Sequence, residues 1–92
     1  MSGLPPANSW TVSYARRAEK DIARLDAQVR RRVFAALERL ALNDPTIDER
    51  KLKGLEEWRI RVGDWRVRFT RDDHARVIYV THVLPRGRAY DR

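Results

Sequence analysis

The sequence predicts an α+β domain in which a two-helix hairpin packs on one face of a small, mostly antiparallel sheet, in the element order β-α-α-β-β-β. Three patterns support this fold class. Apolar residues and arginines alternate on both sides of Gly63-Asp64, apolar residues recur at helical spacing over residues 15–40, and residues 77–84 form an apolar run. The chain is long enough for one hydrophobic core but not for two.

The first predicted elements are a short strand and a helix. Residues 10–14 alternate, which places Trp10, Val12 and Tyr14 on the inward face of a strand. The apolar residues that follow recur every three or four positions, as expected of a helix, at Ala15, Ala18, Ile22 and Leu25. We expect residues 1–9, which are rich in Pro, Ser and Gly, to form a flexible leader, and residues 10–92 to form a single domain.

A second helix has clear start and stop signals. Asp26 is a suitable N-cap, and Asn43-Asp44-Pro45 ends the helix because proline cannot continue it. The apolar stripe between these limits consists of Val29, Val33, Leu37 and Leu40. The two helices therefore form a hairpin with a shared apolar face, and the apolar face of the sheet is its expected partner.

A β-hairpin centred on Gly63-Asp64 follows a polar connection over residues 46–57. With a two-residue turn, the pairs are Val62 with Trp65, Ile60 with Val67 and Trp58 with Phe69, so one face is apolar throughout. Residues 71–74 are predicted as a polar turn. Residues 77–84 are apolar on both faces, which is typical of a strand in the centre of a sheet, and Pro85 ends that strand.

The other face of the hairpin sets arginine opposite arginine. The same register pairs Arg61 with Arg66 and Arg59 with Arg68, although like charges directly opposite each other destabilise a sheet. An ordinary solvated face is one interpretation, because the chain has 17 Arg against 3 Lys. The charge distribution favours a polyanion partner instead, since residues 58–92 carry +5 of the total of +7.

Composition restricts the chemistry. The chain has no cysteine, which excludes disulfides and thiolate catalysis, and two histidines are too few for a typical zinc site. There is no carboxylate cluster suited to magnesium, so no metal or other cofactor is expected. No run approaches the length of a transmembrane helix, so no membrane association is expected and the chain is predicted to be cytoplasmic.

A cationic surface is predicted where the hairpin meets the end of the last strand. It would contain Arg59, Arg61, Arg66, Arg86 and Tyr90, a set suited to RNA because guanidinium groups bind phosphates and a phenol ring can stack on a base. RNA can be cleaved without a metal by attack of its own 2′-hydroxyl group. Arginines would stabilise the charge that develops, and Tyr90 is the nearby candidate base.

These residues resemble the RelE/ParE toxin superfamily. The similarity consists of Lys51-Leu52-Lys53-Gly54, the alternating segment of residues 58–67, the apolar strand, and Arg86 with a terminal Tyr90. It extends from about Trp10 to the C-terminus. The resemblance implies the toxin of a type II toxin–antitoxin pair. The cognate antitoxin would neutralise the basic surface, and the toxin–antitoxin complex would bind operator DNA through the antitoxin. RelE-like members cleave mRNA in the ribosomal A site without a metal, and ParE-like members inhibit DNA gyrase.

The resemblance also implies roles for individual residues. Arg66 matches the arginine after the hairpin turn that contacts phosphate, and Arg86 matches the arginine assigned to phosphate stabilisation and leaving-group protonation. Tyr90 matches a C-terminal tyrosine that orients or stacks on the substrate. Arg59 and Arg61 stand where the RelE pattern has lysines. As further RNA contacts we expect Arg68 and Arg88.

The sequence leaves three functions open. The first is a ribosome-dependent endoribonuclease (an mRNA interferase) with Arg59, Arg61, Arg66, Arg86 and Tyr90 as catalytic residues. The second is a ParE-type gyrase inhibitor. The third is a member of the superfamily that binds RNA without cutting it, because arginines replace the lysines.

Overall fold

The computed structural model describes residues 9–52, 54 and 56–87. Its elements are β1 (Thr11–Tyr14), α1 (Arg16–Ala23), α2 (Ala27–Ala41), β2 (Glu49–Lys51), β3 (Trp58–Val62), β4 (Trp65–Asp72) and β5 (Val77–Pro85). The strands form one sheet in the order β1-β5-β4-β3-β2. Neither described helix is long and apolar enough to span a membrane.

The sheet is mixed but mostly antiparallel, as predicted. β1 runs parallel to β5, whereas the β5–β4, β4–β3 and β3–β2 pairs are antiparallel. The predicted two-helix hairpin is confirmed, and Trp10, Val12 and Tyr14 pack against the core. The structure adds one strand to the predicted order, because part of the polar connection pairs with β3 as the short edge strand β2.

Local signals define the ends of α2. The side chain of Asp26 accepts a hydrogen bond from the Val29 amide at 2.9 Å, which confirms it as the N-cap. At the other end, Asn43 takes a positive φ of 60° and the Asp44 amide donates to the Arg39 carbonyl at 3.0 Å, the Schellman arrangement. Hydrogen bonds from Thr46 and Arg39 lower the pKa of Asp44 to about 2.

One core lies between the helix hairpin and the sheet. Its largest fully buried side chains are Phe69, Leu37, Ile60, Ile78, Val33, Val67 and Val80. The helices contribute Ala18, Ile22, Val33, Ala36, Leu37 and Leu40, and the turn between the helices contributes Leu25. The apolar face of the predicted β3–β4 hairpin therefore packs against the helices, and the alternate face points away from them.

A β-bulge adjusts the alternation of β5. Arg68 pairs with His82 and Phe69 pairs with Val80, so Thr81 is an extra residue on β5. Without it, Val83 would fall on the opposite face from Val80, whereas both are buried in the core. β5 lies inside the sheet, between β1 and β4, in agreement with its apolar character, but its outer face carries the exposed Tyr79.

The predicted polar turn at residues 71–74 begins later than expected, because β4 continues to Asp72. Arg71 follows Phe69 on the core face, and its guanidinium carbon lies 4.6 Å from the ring centroid of Trp10 and 5.5 Å from that of Trp58. It also pairs with Glu49 of β2. The cation therefore packs between two aromatic rings at the edge of the core instead of pointing into solvent.

Replacing Phe69 with alanine should destabilise the fold strongly. The residue is fully buried against both layers, and truncations of this kind cost about 3–5 kcal/mol. The matched control is Tyr79→Ala, which removes an exposed aromatic ring from the adjacent strand and should cost far less. Urea unfolding of both variants measures the difference. Equal losses would show that the core does not lie on the face described.

Candidate functional site

The β3–β4 hairpin carries four arginines on the side of the sheet that faces away from the helices. Arg61 lies opposite Arg66 and Arg59 opposite Arg68, in the register that the sequence predicts. We call these four side chains the arginine face. Their neighbours along each strand are core residues, so the alternation of the strands fixes the direction in which the arginines point.

The hairpin turn brings a further arginine to one end of this face. Gly63 has a φ of +59°, which the first residue of a tight two-residue turn requires and which a side chain would strain. The amide of Arg86 donates to the carbonyl of Asp64 at 2.8 Å. The main chain of the exposed Arg86 therefore leaves β5 directly beside the turn, at the end of the hairpin where Arg61 pairs with Arg66.

Arg32 of α2 also reaches the turn, and sequence reasoning did not find it. Its guanidinium packs so closely on Gly63 that a Cβ atom built there would lie 3.0 Å from Nη2. A cationic side chain from the helical layer thus adjoins the end of the hairpin where Arg86 lies. The signal in the sequence was the run Arg30-Arg31-Arg32, but its position relative to the turn depends on helix packing.

The arginines differ greatly in exposure. Arg66 is 2% exposed and Arg59 is 8% exposed, whereas the side chain of Arg61 is 49% exposed. Arg66 donates from Nη1 to the carbonyls of Gly63 at 3.2 Å and of Trp65 at 3.0 Å. These bonds hold the Arg66 guanidinium group at the hairpin, which is the kind of fixed cation that stabilises developing charge efficiently. The predicted surface is therefore only partly open to solvent.

Carboxylates offset part of the charge of the arginine face. Asp48 lies 3.7 Å from Nη1 of both Arg59 and Arg61, and Glu57 pairs with Arg68. These acids come from the connection before β3, so their proximity could not be deduced from the alternation of the hairpin. They explain how a sheet tolerates opposed arginines.

A polar network surrounds the β-bulge at the far end of the arginine face. The hydroxyl of Thr81 lies 3.4 Å from Glu57 Oε2, donates to the Arg68 carbonyl at 3.2 Å, and lies 3.1 Å from His82 Nδ1. Burial, followed by the nearby cations of Arg68 and Arg17, lowers the pKa of His82. This shift favours the neutral imidazole near neutral pH, and the ring is held by its hydrogen bond with Thr81.

One donor of this network is unpaired. Among the described residues, Arg68 Nε is a buried nitrogen without a hydrogen-bond acceptor. Within the same part of the chain, no group of three or more His, Cys, Asp and Glu side chains is arranged to hold a metal ion. Arg88 and Tyr90, which were predicted as an RNA contact and a catalytic residue, lie outside the described residues.

A shallow groove on the helical side forms a second surface feature. It has a volume of about 510 Å³ and is lined by Tyr14, Glu19, Ile22, Ala23, Arg30 and Phe34. The rings of Tyr14 and Phe34 meet edge to face with centroids 6.2 Å apart, and Phe34 is exposed. Burial raises the pKa of Tyr14, so its phenol stays protonated. Exposed aromatic groups in a groove are typical of protein interaction sites.

The fold and the sequence are similar to those of known toxins. The RelE toxin in the RelB–RelE complex of Methanococcus jannaschii is 25% identical, with a TM-score of 0.71 over 86% of this chain and 95% of that chain. The archaeal RelE–RelB complex of Pyrococcus horikoshii gives 27% identity and a TM-score of 0.70 over 88% and 99% of the two chains. The intact RelBE complex of Escherichia coli, at 24% identity, shares the fold with a TM-score of 0.71 over 84% and 96%.

Sequence comparison assigns the family. Curated protein sequences give no significant match. The family model described as the ParE toxin of the type II toxin–antitoxin system parDE matches residues 12–90, which is most of the chain. The protein therefore belongs to the ParE toxin family of type II toxin–antitoxin systems, within the RelE/ParE superfamily.

Proposed function

We propose that this toxin is a ribosome-dependent endoribonuclease that cleaves mRNA in the ribosomal A site and thereby arrests translation in the cytoplasm. The observation that carries the proposal is the pairing of Arg61 with Arg66 on the face away from the helices, beside the point where the main chain of Arg86 leaves β5. Guanidinium groups in this arrangement suit the phosphate backbone of RNA, and one of them is held rigidly by main-chain carbonyls.

The chemistry requires no metal. The 2′-hydroxyl oxygen attacks the adjacent phosphorus, a P–O2′ bond forms and the P–O5′ bond breaks, which leaves a 2′,3′-cyclic phosphate and a 5′-hydroxyl end. The exposed Arg61 would contact the phosphorane, and the nearly buried Arg66, held by main-chain carbonyls, would add to the positive potential beside it. Arg86 would lie near the leaving O5′ oxygen, which takes up a proton from it or from water as the 5′-hydroxyl forms. Tyr90 remains the candidate base that accepts the 2′-hydroxyl proton, since arginine has a pKa too high for this role.

We also propose a cognate antitoxin as the partner of this chain. Toxins of similar sequence crystallise as RelB–RelE complexes in M. jannaschii and P. horikoshii. The groove beside Tyr14 and Phe34 is a partly apolar surface that such a protein would cover. The antitoxin would bind operator DNA, and the toxin would contact that DNA only through it.

A second candidate function is inhibition of DNA gyrase. Two observations favour it: the matching family model is that of the ParE toxin, and Arg59 and Arg66 are largely buried. A supercoiling assay with purified gyrase tests this alternative directly. A third candidate, RNA binding without cleavage, is favoured by the pairing of Arg59 and Arg61 with Asp48.

Primer extension on a reporter mRNA in a reconstituted translation system tests the proposed function. We expect cuts inside codons at the A site that appear only when ribosomes and this protein are both present. An intact message with normal translation would contradict the nuclease, and loss of supercoiling in the gyrase assay would then support the second candidate.

Replacing Arg86 with alanine should lower the cleavage rate by about 10²–10³-fold, the usual cost of removing one donor to a developing negative charge. The fold should be unaffected, since the side chain is exposed and the contact with Asp64 is made by the main chain. Arg16→Ala, which removes the same charge from an exposed position on α1, is the control and should cleave normally. Cleavage by Arg86→Ala at the control rate would exclude Arg86 from the reaction.

A further inference from the structure

One carboxylate lies among three guanidinium groups at the edge of the sheet. Asp48 Oδ1 is 3.4 Å from Arg50 Nε, and Asp48 Oδ2 is 3.7 Å from Nη1 of both Arg59 and Arg61. Arg50 and Arg59 are paired across β2 and β3, and Arg61 follows on the same face of β3. A single negative charge is therefore shared by three cations from two strands.

Asp48 is held loosely in this position. Charge-assisted hydrogen bonds between guanidinium and carboxylate groups are about 2.7–2.9 Å long, and all three distances to Asp48 are longer. The Asp48 side chain is 44% exposed, so water and salt compete for it. Exposed ion pairs of this kind contribute little to stability, about 0–1 kcal/mol. Another anion can displace the carboxylate at small cost.

The cations around Asp48 are better fixed than the carboxylate itself. Arg59 is almost buried, and its Nη1 also donates to the main-chain carbonyl of Asp48 at 3.3 Å. That bond does not depend on the side chain of Asp48 and keeps the guanidinium group in place. An anion that replaces the carboxylate thus meets a positive group that is already positioned, which lowers the entropic cost of binding.

We propose that Asp48 occupies an anion site formed by Arg50, Arg59 and Arg61, and that a phosphate group of bound RNA displaces it. Asp48 then competes with RNA phosphate for this site and weakens RNA binding. RNA that is also bound by other parts of the protein is therefore favoured over RNA that is not. The inference rests on the proposed function for the identity of the anion. The site itself rests on the geometry of the four side chains.

Phosphate binding tests the site without requiring nuclease activity. The probe is inorganic phosphate, titrated into the protein while the Nε–Hε signals of Arg59 and Arg61 are followed by NMR. Asp48→Asn keeps the size of the side chain and removes its charge, so phosphate should bind about fivefold more tightly than to the wild type, the factor expected when exposed ion pairs are lost. Asp48→Glu keeps the competing charge and should bind phosphate about as the wild type does.

A control variant separates local competition from net charge. Glu38→Gln makes the same change in charge at an exposed position of α2 and should leave phosphate binding unchanged. Equal affinity of Asp48→Asn and the wild type would overturn the inference, as would equal tightening by Glu38→Gln. Thermal unfolding of each variant checks that the fold is retained.

The failure of the proposed function gives a different pattern. Tighter phosphate binding by Asp48→Asn together with an intact mRNA in primer extension would contradict the nuclease and support the anion site. Cleaved mRNA with unchanged phosphate binding would contradict the inference alone. If the nuclease function and the anion site are both correct, Asp48→Asn should also bind a single-stranded RNA oligonucleotide more tightly than the wild type, with a steeper dependence on salt.

Discussion

The pairing register of β3 with β4 determines both the core and the arginine face. The register is fixed by the two-residue turn at Gly63-Asp64, and every second side chain of the hairpin then enters the core. A shift by one residue would place guanidinium groups against the helices and expose Ile60 and Val67. Hydrophobic burial on one face therefore holds the arginines in place on the other, although the arginines themselves repel one another.

The repulsion is relieved by acids and carbonyls that lie outside the hairpin pattern. Asp48 neutralises part of the charge of Arg59 and Arg61, and Glu57 pairs with Arg68. Main-chain carbonyls accept hydrogen bonds from Arg66. Arg32, Arg61 and Arg86 are the more exposed cations near the turn. The result is a surface in which fixed, nearly buried guanidinium groups lie beside exposed ones, so that positioning and access to a ligand are provided by different residues.

Much of this arrangement follows from local patterns. Strict alternation and a Gly-Asp turn specify the hairpin register, and Asp26 and Asn43 specify the limits of α2, because each signal acts within a few residues. The strand β2 was not foreseen, since three polar residues at a sheet edge carry no periodic signal. The bulge at Thr81 likewise depends on which side chains the core can accept.

The electrostatics of the site were harder to predict than its position. The sequence places Arg59 and Arg66 together but does not show that both are nearly buried, because burial depends on tertiary packing. The contacts of Asp48 with Arg61 and of Arg32 with Gly63 join residues 13 and 31 positions apart, and no local period encodes them. These long-range contacts determine which cations are exposed, and they could be identified only from the structure.

The most direct test of this account is the substitution Arg66→Lys, with thermal unfolding and mRNA cleavage measured on the same preparation. Lysine retains the positive charge and most of the buried volume, but it lacks the planar group that is fixed at the hairpin by two main-chain carbonyls. We expect a stably folded protein whose cleavage rate falls by about 10²-fold or more. A folded variant that cleaves mRNA at the wild-type rate would show that cleavage does not depend on the fixed guanidinium group of Arg66.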